Sequence, residues 1–428
     1  MPIIADLHIH SRYARAVSKD MVPEGLYRWA QLKGITVLGT GDFTHPRWFT
    51  ELQDKLEPAE PGLYRLKPQS AEPVDAELPE RCRAEVRFML TAEISSIYSR
   101  GGRTRKVHNL VFAPSFAMVA KINARLARIG NLQADGRPIL GLDSEELLRL
   151  TLETAPEALL VPAHAWTPHF AVFGANSGFG SLEECFGDLT PHIKVIETGL
   201  SSDPPMNWRL SQLDHITLIS NSDAHSPSKL GREANLLDTT LSYPAIIDAF
   251  VSADPKRFLG TLEFFPQEGK YHYDGHRTCG VRLSPSETKQ HDYRCPACGK
   301  PVTVGVMHRV EVLADRPPGH RSSHALPYWN VIPLVELIAQ VKGAGVNTKA
   351  VTEAYFNLLA ALGSEFHILM HAPLPEIETA GGGLLAEAVR RARAGQVTIA
   401  PGYDGEYGTI QLFDPADRAA AAPQMSLF

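Results

Sequence analysis

In the first half of this 428-residue chain, short apolar runs repeatedly end in a residue that can bind a metal ion, and this pattern restricts the fold more than any other feature. The first run, Ile3-Ile4-Ala5, leads into Asp6-Leu7-His8-Ile9-His10. Alternate residues of a strand share a face, so His8 and His10 point together and can grip one divalent cation. Ile35-Thr36-Val37-Leu38 runs into Gly39-Thr40-Gly41-Asp42-Phe43-Thr44-His45. Val86 to Leu90 is followed by Thr91-Ala92-Glu93, and Val107 to Phe112 carries His108 at its beginning. Ala158 to Ala163 ends at His164, Ile193 to Ile196 at Glu197, and Ile216 to Asn221 at Asp223 and His225.

Between these runs the spacing predicts helices. Pro23 to Lys33 has Pro at its start and Gly34 at its end, and Ser115 to Ile129 and Ser144 to Leu152 follow. Strands alternating with helices predict a parallel sheet or barrel, with its chemistry at the face where the strands end. Residues 57 to 83, rich in Pro and acids, read as an excursion or long surface loop. Ser99 to Lys106 reads as a basic, hairpin-like turn.

Composition narrows the class. Hydrophobic residues make up 44% and charged residues 21%, as in a globular protein with ample core. No apolar run approaches the roughly 20 residues of a membrane span, and no signal-peptide layout opens the chain, so a cytoplasmic location is expected. A net charge of −6 argues against a uniformly basic surface but leaves room for a local basic groove. Five cysteines, three of them late in the chain, fit a metal site better than a disulfide framework.

Those late cysteines mark a change of character from Gly260 to Val312. Cys295-Pro296-Ala297-Cys298-Gly299 is a tight knuckle with Cys279 upstream, a strong structural-zinc signal. His276 is the best fourth ligand, with Asp274 and His308 as alternatives. From Pro327 onward helices are predicted at Pro333 to Val341, Lys349 to Leu362 and Leu384 to Ala394, and a strand at Gln396 to Ile399. The expected organisation is therefore a catalytic barrel over 1–259, a zinc-binding module over 260–315, a mostly helical domain over 316–413, and a loose tail over 414–428.

Asp6-Leu7-His8-Ile9-His10, Glu93, His108, His164 and Ser222-Asp223-Ala224-His225 resemble the motifs of the polymerase-and-histidinol-phosphatase (PHP) family. That resemblance implies an α/β fold, a distorted PHP-type (β/α)7 barrel with a phosphoesterase site of two or three divalent metals (Mg, Mn or Zn). Three further stretches, Gly39 to Pro46, Gly269 to Arg277 and Pro401 to Gly408, extend the likeness along nearly the whole chain to the endonuclease Q branch of that family. This implies a DNA-repair endonuclease that cuts on the 5′ side of deaminated bases. One departure stands out: where the family pattern has Thr-Asp-His, this chain has Gly41-Asp42-Phe43, and Phe43 cannot bind metal.

On this reading His8, His10, Glu93 and Asp223 hold one ion, with Glu93 bridging to a partner held by His108 and His164. Asp42 and His225 fall to a third, ligand-poor position. Glu197 is either a ligand or an outer acceptor that orients a histidine. Asp223, His225 and Glu93 are the residues on which catalysis would turn. Arg12, Arg15 and Lys19 after the first motif, and Arg100, Arg103, Arg105 and Lys106 in the basic turn, are candidate contacts to DNA phosphates. Trp48, Trp166 and Phe170 are candidates for stacking on an extruded base. The turn Pro401 to Gly408 could line the DNA path, although a structural turn accounts for it better.

Two rival functions share these residues. A small-molecule phosphoesterase could use the same barrel, but would have no use for the appended parts. A non-catalytic DNA-binding scaffold would not keep so full a ligand set. Finally, Gln424-Met425-Ser426-Leu427-Phe428 resembles the bacterial sliding-clamp-binding pentapeptide, which implies the clamp as a partner.

Overall fold

The computed structural model describes residues 2–414. Its framework is a set of short buried strands: β1 (Ile3–Asp6), β2 (Val37–Gly39), β3 (Leu56–Pro58), β4 (Tyr64–Leu66), β5 (Arg87–Arg100), β6 (Arg103–Ala113), β7 (Ile139–Leu140), β8 (Leu159–Pro162), β9 (Val195–Glu197), β10 (Thr217–Ile219), β11 (Ala234–Leu237) and β12 (Phe258–Glu263). β1, β2 and β5 lie side by side and parallel. β5 then turns back as the long antiparallel strand β6, and β8 pairs antiparallel with β6. β9 and β10 form a separate parallel pair.

Single hydrogen bonds and side chains carry this curved sheet across its two gaps. Between β8 and β9 the Ala165 amide donates to the Glu197 carbonyl. Between β10 and β1 two asparagines replace the ladder. Asn221 accepts from the Leu7 amide, while the Asn235 amide group reaches the carbonyls of Ala5 and Ser220. The result is a distorted barrel of β1, β2, β5, β6, β8, β9 and β10. Ile3, Ala5, Leu7, Val37, Met89, Leu110, Val161 and Ile219 share one buried cluster, closed by Tyr243, Ile246 and Phe250 of the helix Tyr243–Ser252.

The sheet is mixed rather than parallel, and the reversal of β6 matters for the site. A strand that runs backwards brings its beginning to the face where its neighbours end. His108, early in its apolar run, therefore sits opposite Ser95 and beside Glu93. The excursion expected over residues 57 to 83 is instead built from β3, β4 and the helix Pro68–Glu77, with β4 joining the main sheet through Tyr64 opposite Phe88.

Beyond the barrel come β13 (Asp274–His276), paired antiparallel with β14 (Val281–Leu283), and then β15 (Tyr328–Asn330). β15 lies parallel to β12, so residues expected in the helical segment complete the barrel sheet, and the expected seam at 259/260 falls inside β12. The helices Leu334–Lys342, Lys349–Leu362, Glu365–Met370, Leu374–Gly381 and Gly383–Arg393 follow, then the hairpin of β16 (Thr398–Ala400) and β17 (Thr409–Gln411). Their core takes in Leu32, Leu78 and Cys82 from the barrel. A buried ion pair, Lys33 Nζ to Glu365 at 2.7 Å, ties the two bodies together; Glu365 also accepts from the Tyr355 hydroxyl and the Leu334 amide.

Candidate metal centre and nucleic-acid interface

Strand ends supply most of the centre because the chain turns sharply there, while Glu93 and His108 lie within β5 and β6, whose ladder runs past the expected end of the strand before Glu93. Asp42, His164 and Asp223 each lie a few residues past a strand and all have positive φ, at 47°, 29° and 46°. Non-glycine residues rarely adopt that conformation, and its recurrence at candidate ligands is backbone strain gathered at a functional site. Gly199 allows the same crowding: a Cβ there would sit 2.4 Å from the His164 Cβ.

Two groups of three converge. His8, His10 and Asp223 form one; Glu93, His108 and His164 form the other. In the first, His10 Nε2 lies 3.1 Å and His8 Nε2 3.6 Å from Asp223 Oδ1. In the second, Glu93 Oε1 is 2.6 Å from His108 Nδ1 and 3.0 Å from His164 Nε2. Glu93 Oε2 faces the first group, 3.3 Å from His10 Nε2 and 3.7 Å from His8 Nε2. One carboxylate thus offers an oxygen to each group.

These atoms fit a metal. His8 Nε2, His10 Nε2 and Asp223 Oδ1 are buried without a hydrogen-bond partner. Stranding polar atoms in this way is costly unless a cation answers them. The opposite ring nitrogens are held in place. His8 Nδ1 meets Glu197 at 3.0 Å and His10 Nδ1 meets Asp42 at 3.0 Å. A carboxylate on the far nitrogen fixes the tautomer and aims the near one. Glu197 is thus an orienting acceptor, also bound by Asn221 and the His164 amide. Asp42, expected at a third ion, is likewise engaged, its other oxygen taking the Ser11 amide and hydroxyl at 2.6 Å. His225 Nδ1 donates to the Asp223 carbonyl and the ring packs on His10, and among the described residues no third ligand group gathers around it and Asp42. The structural reason is that each oxygen of Asp42 already has a partner.

The buried charges at the centre shift one another strongly. Burial alone would pull the His8 imidazole down, but Glu197, Glu93 and Asp223 outweigh it and hold it well above its usual range. Burial would push Glu93 up, yet His108 and His8 hold it well below the usual carboxylate range. His108 goes the other way: burial lowers it to about 4 against the pull of Glu93, leaving it in the neutral form that metals bind.

One charged residue at the centre was absent from the sequence reading. Arg137 Nη1 lies 3.2 Å from Glu93 Oε2. It belongs to the loop Asp135-Gly136-Arg137-Pro138, away from any apolar run, so no strand-end pattern marks it. The turn itself was the available signal, since Asp135 accepts from the Arg137 amide.

The cysteine cluster is separate. His276, Cys279, Cys295 and Cys298 bring four ligand atoms within 4.8 Å of one another, and Cys298 Sγ lies 3.5 Å from His276 Nδ1. Asp274 and His308, the alternative ligands, bind each other at 2.8 Å, and Asp274 also caps the Gly305 amide. The thiols crowd: Cys298 pushes Cys279 up to about 11, which a shared cation would relieve. The turn at 401–408 serves this module. Asp404 accepts from the Arg277 amide and the Thr303 hydroxyl, while Glu406 and Tyr407 are exposed, Tyr407 by 73%.

The basic residues divide. Arg100 is committed to Glu145 and to the carbonyls of Glu184 and Cys185, Arg105 to the Gly178 carbonyl, and Arg12 to Glu51. Arg15, Lys19 and Arg103 are exposed, and Lys106 lies over Phe170 beside His108. Of the aromatic candidates, Trp48 and Trp166 are core residues whose indole N–H groups bond Gly41 and Asn207. Phe170 remains half-buried at the rim, its ring 4.6 Å from that of His108.

Comparison with known proteins matches this architecture from end to end. The family model described as the MJ0043 C-terminal domain matches residues 333–396. The uncharacterized protein MJ0043 of Methanocaldococcus jannaschii is 31% identical over 255 residues, 58% of this chain but 31% of that protein. The uncharacterized protein YqxK of Bacillus subtilis is 27% identical over 429 residues, covering 96% of this chain and 99% of its own. Among the described residues, no helix is long and apolar enough to cross a membrane. Among solved structures, endonuclease Q bound to a 27-mer duplex with an abasic lesion at its active site superposes with a TM-score of 0.80 and 30% identity over 97% of each chain. The lesion-specific endonuclease PfuEndoQ of Pyrococcus furiosus superposes with a TM-score of 0.83 and 31% identity over 96% of this chain and 95% of its own. Identity and superposition that run through both chains almost completely make this chain a member of the endonuclease Q family, metal-dependent nucleases that act on lesion-containing DNA.

Proposed function

We propose that this protein nicks DNA on the 5′ side of deaminated bases (uracil, hypoxanthine and xanthine) and of abasic sites. The observation that carries the proposal is the shared carboxylate: Glu93 offers one oxygen to His8, His10 and Asp223 and the other to His108 and His164. These two groups would hold divalent cations, which when bound would acidify a water at neutral pH and neutralise the oxygens of an in-line displacement. The chain's own residues do the rest. Glu197 and Asp42 hold His8 and His10 in the tautomers that present Nε2 to the centre. Asp223 completes that group from the strained turn after β10. Phe170 is the half-exposed ring against which an extruded base could stack.

Arg15, Lys19, Arg103 and Lys106 are assigned to DNA phosphates, which makes affinity fall steeply with salt. Arg12, Arg100 and Arg105 keep the supporting surface in shape. His276, Cys279, Cys295 and Cys298 are assigned to one structural zinc. Residues 424–428, which lie outside the described residues, are assigned to a bacterial sliding clamp through Gln424, Met425, Leu427 and Phe428. Deleting them should abolish clamp binding and leave nicking of short oligonucleotides unchanged; clamp binding that survives the deletion refutes this assignment.

The deciding assay uses end-labelled duplexes containing uracil, hypoxanthine, xanthine or an abasic site, beside undamaged duplex and p-nitrophenyl phosphate, with Mg²⁺, Mn²⁺ or Zn²⁺. Nicks 5′ of the lesions, with undamaged duplex intact, support the proposal. Cleavage of the monoester alone would make the protein a small-molecule phosphoesterase. Binding without cleavage would make it a scaffold.

A further inference from the structure

Four carboxylates gather around the barrel centre: Glu93 and Asp223 face it, and Asp42 and Glu197 stand behind its histidines. Two dications would cancel them. A phosphodiester adds a negative charge, and in-line attack adds another to its non-bridging oxygens. Some further cation must meet that surplus. Of the lysines and arginines in the described residues, Arg137 is the one ion-paired to this carboxylate set. Arg232, the nearest alternative, bonds the carbonyls of Ser222 and Asp223 and so buttresses the turn.

The placement of Arg137 is built rather than incidental. Its loop is laced to the first motif and to β5. The Gly136 amide donates to the Tyr13 carbonyl, the Thr44 hydroxyl to the Gly136 carbonyl, and the Ser95 amide to the Pro138 carbonyl. Asp135 accepts from the amides of both Arg15 and Arg137. A Cβ on Gly136 would sit 2.3 Å from Asp42 Oδ2, so glycine is what lets this loop approach the centre. The guanidinium gives Nη1 to Glu93, and its other N–H groups have no protein acceptor among the described residues. Its side chain is 24% exposed, so the residue that reaches Glu93 also reaches solvent. A planar fork with one side occupied and the other open matches the geometry of a phosphate oxygen pair.

We infer that Arg137 is the phosphate-binding residue of this centre, using its unpaired N–H groups to hold the non-bridging oxygens of the scissile phosphodiester while Nη1 stays on Glu93. This rests on the hydrolase reading above. It differs from a purely structural role, in which Arg137 would serve only to orient Glu93 for metal.

The two roles have opposite signatures. A cation beside a dication site weakens metal binding, so removing it leaves metal affinity equal or greater; losing an orienting partner lowers metal affinity. In the full-length protein, Mn²⁺ binding is followed by electron paramagnetic resonance, and inorganic phosphate is titrated calorimetrically into the Mn²⁺-loaded form. Arg137→Ala should bind Mn²⁺ at least as tightly as wild type and bind phosphate about 10-fold more weakly. Its kcat for nicking should fall about 100-fold, the effect of losing one preorganised donor, with KM much less changed. Arg137→Lys should recover part of the phosphate affinity. Unchanged phosphate affinity, or Mn²⁺ affinity that falls in step with kcat, would overturn the inference. The two titrations contain no DNA, so failure of the lesion specificity proposed above would show in wild type alone and leave them readable.

Discussion

The barrel centre and the cysteine cluster are groups of ligand atoms that could each hold a cation, and they are built in opposite ways. The barrel ligands span His8 to Asp223 in sequence, and all but Asp223 are buried. Their geometry is set by the barrel, by Asp42 and Glu197 behind the histidines, and by asparagines that bridge the sheet. The cluster ligands lie within His276 to Cys298, and Cys298 is exposed. Around them β13 and β14 are three residues each and few side chains are buried. Where the fold precedes the metal, the metal is free to do chemistry; where the metal precedes the fold, its binding free energy is folding free energy.

The largest effect should come from breaking the barrel centre at its ligand. Asp223→Ala should lower nicking at least about 1,000-fold, about 4 kcal/mol of transition-state stabilisation, while Tm and lesion-duplex binding stay close to wild type. Near-normal nicking would remove Asp223 from the centre. The complementary break is Cys298→Ser, which should cost the protein its bound zinc and lower Tm by about 5 °C or more, with the barrel metals retained. Unchanged zinc content and Tm would mean that the cluster holds no structural ion.

A smaller change sharpens the contrast. Glu197→Gln keeps the size of the side chain but weakens the acceptor behind His8. Metal affinity at the barrel centre should drop about 10- to 100-fold with no change in Tm or zinc content. A calorimetric metal titration that gave the wild-type curve would show that the fold alone aims His8. The smallest effect is linked to protons and belongs to the barrel only. Burial, with Asp203 nearby, pushes the Glu263 carboxyl up to about 8 against hydroxyls of Thr261, Ser220 and Thr198. A carboxyl whose pKa is raised on folding stabilises fully below its unfolded value and loses that contribution as pH rises through the folded one. Glu263→Gln should therefore gain Tm relative to wild type as pH goes from about 5 to about 8. A difference that stays flat across that range would mean that Glu263 is ionised throughout.

Much of both sites was legible along the chain, for different reasons. Cys295-Pro296-Ala297-Cys298 announces itself because its spacing is the geometry. His8, His10, His164 and Asp223 were legible because strand ends in an alternating α/β pattern share one face, whereas Glu93, expected just past a strand end, lies within the longer β5. Reading failed where one residue's role depends on another's position. Asp42 has the right type and place for a ligand, yet the Ser11 and His10 groups it meets make it an orienting acceptor. Trp48 and Trp166 lie close to ligands in sequence but point into the core. Residues 57 to 83 lacked period because their elements are short, and one of them is decided by a single pairing with β5.

The sequence by itself determined the chemistry on offer: which apolar runs lead into metal-binding side chains, that two cysteines form a knuckle with a third upstream, and that helices follow. Only the tertiary structure decided how that chemistry is shared out. The antiparallel reversal of β6 brings His108 to Glu93, β15 returns from the far side of the cysteine module to pair with β12, and the loop at Gly136 carries Arg137 to the same carboxylate. Residue type and local period are properties of neighbouring positions, whereas a hydrogen bond between residues 44 apart in sequence, Arg137 to Glu93, exists only once the sheet between them has closed.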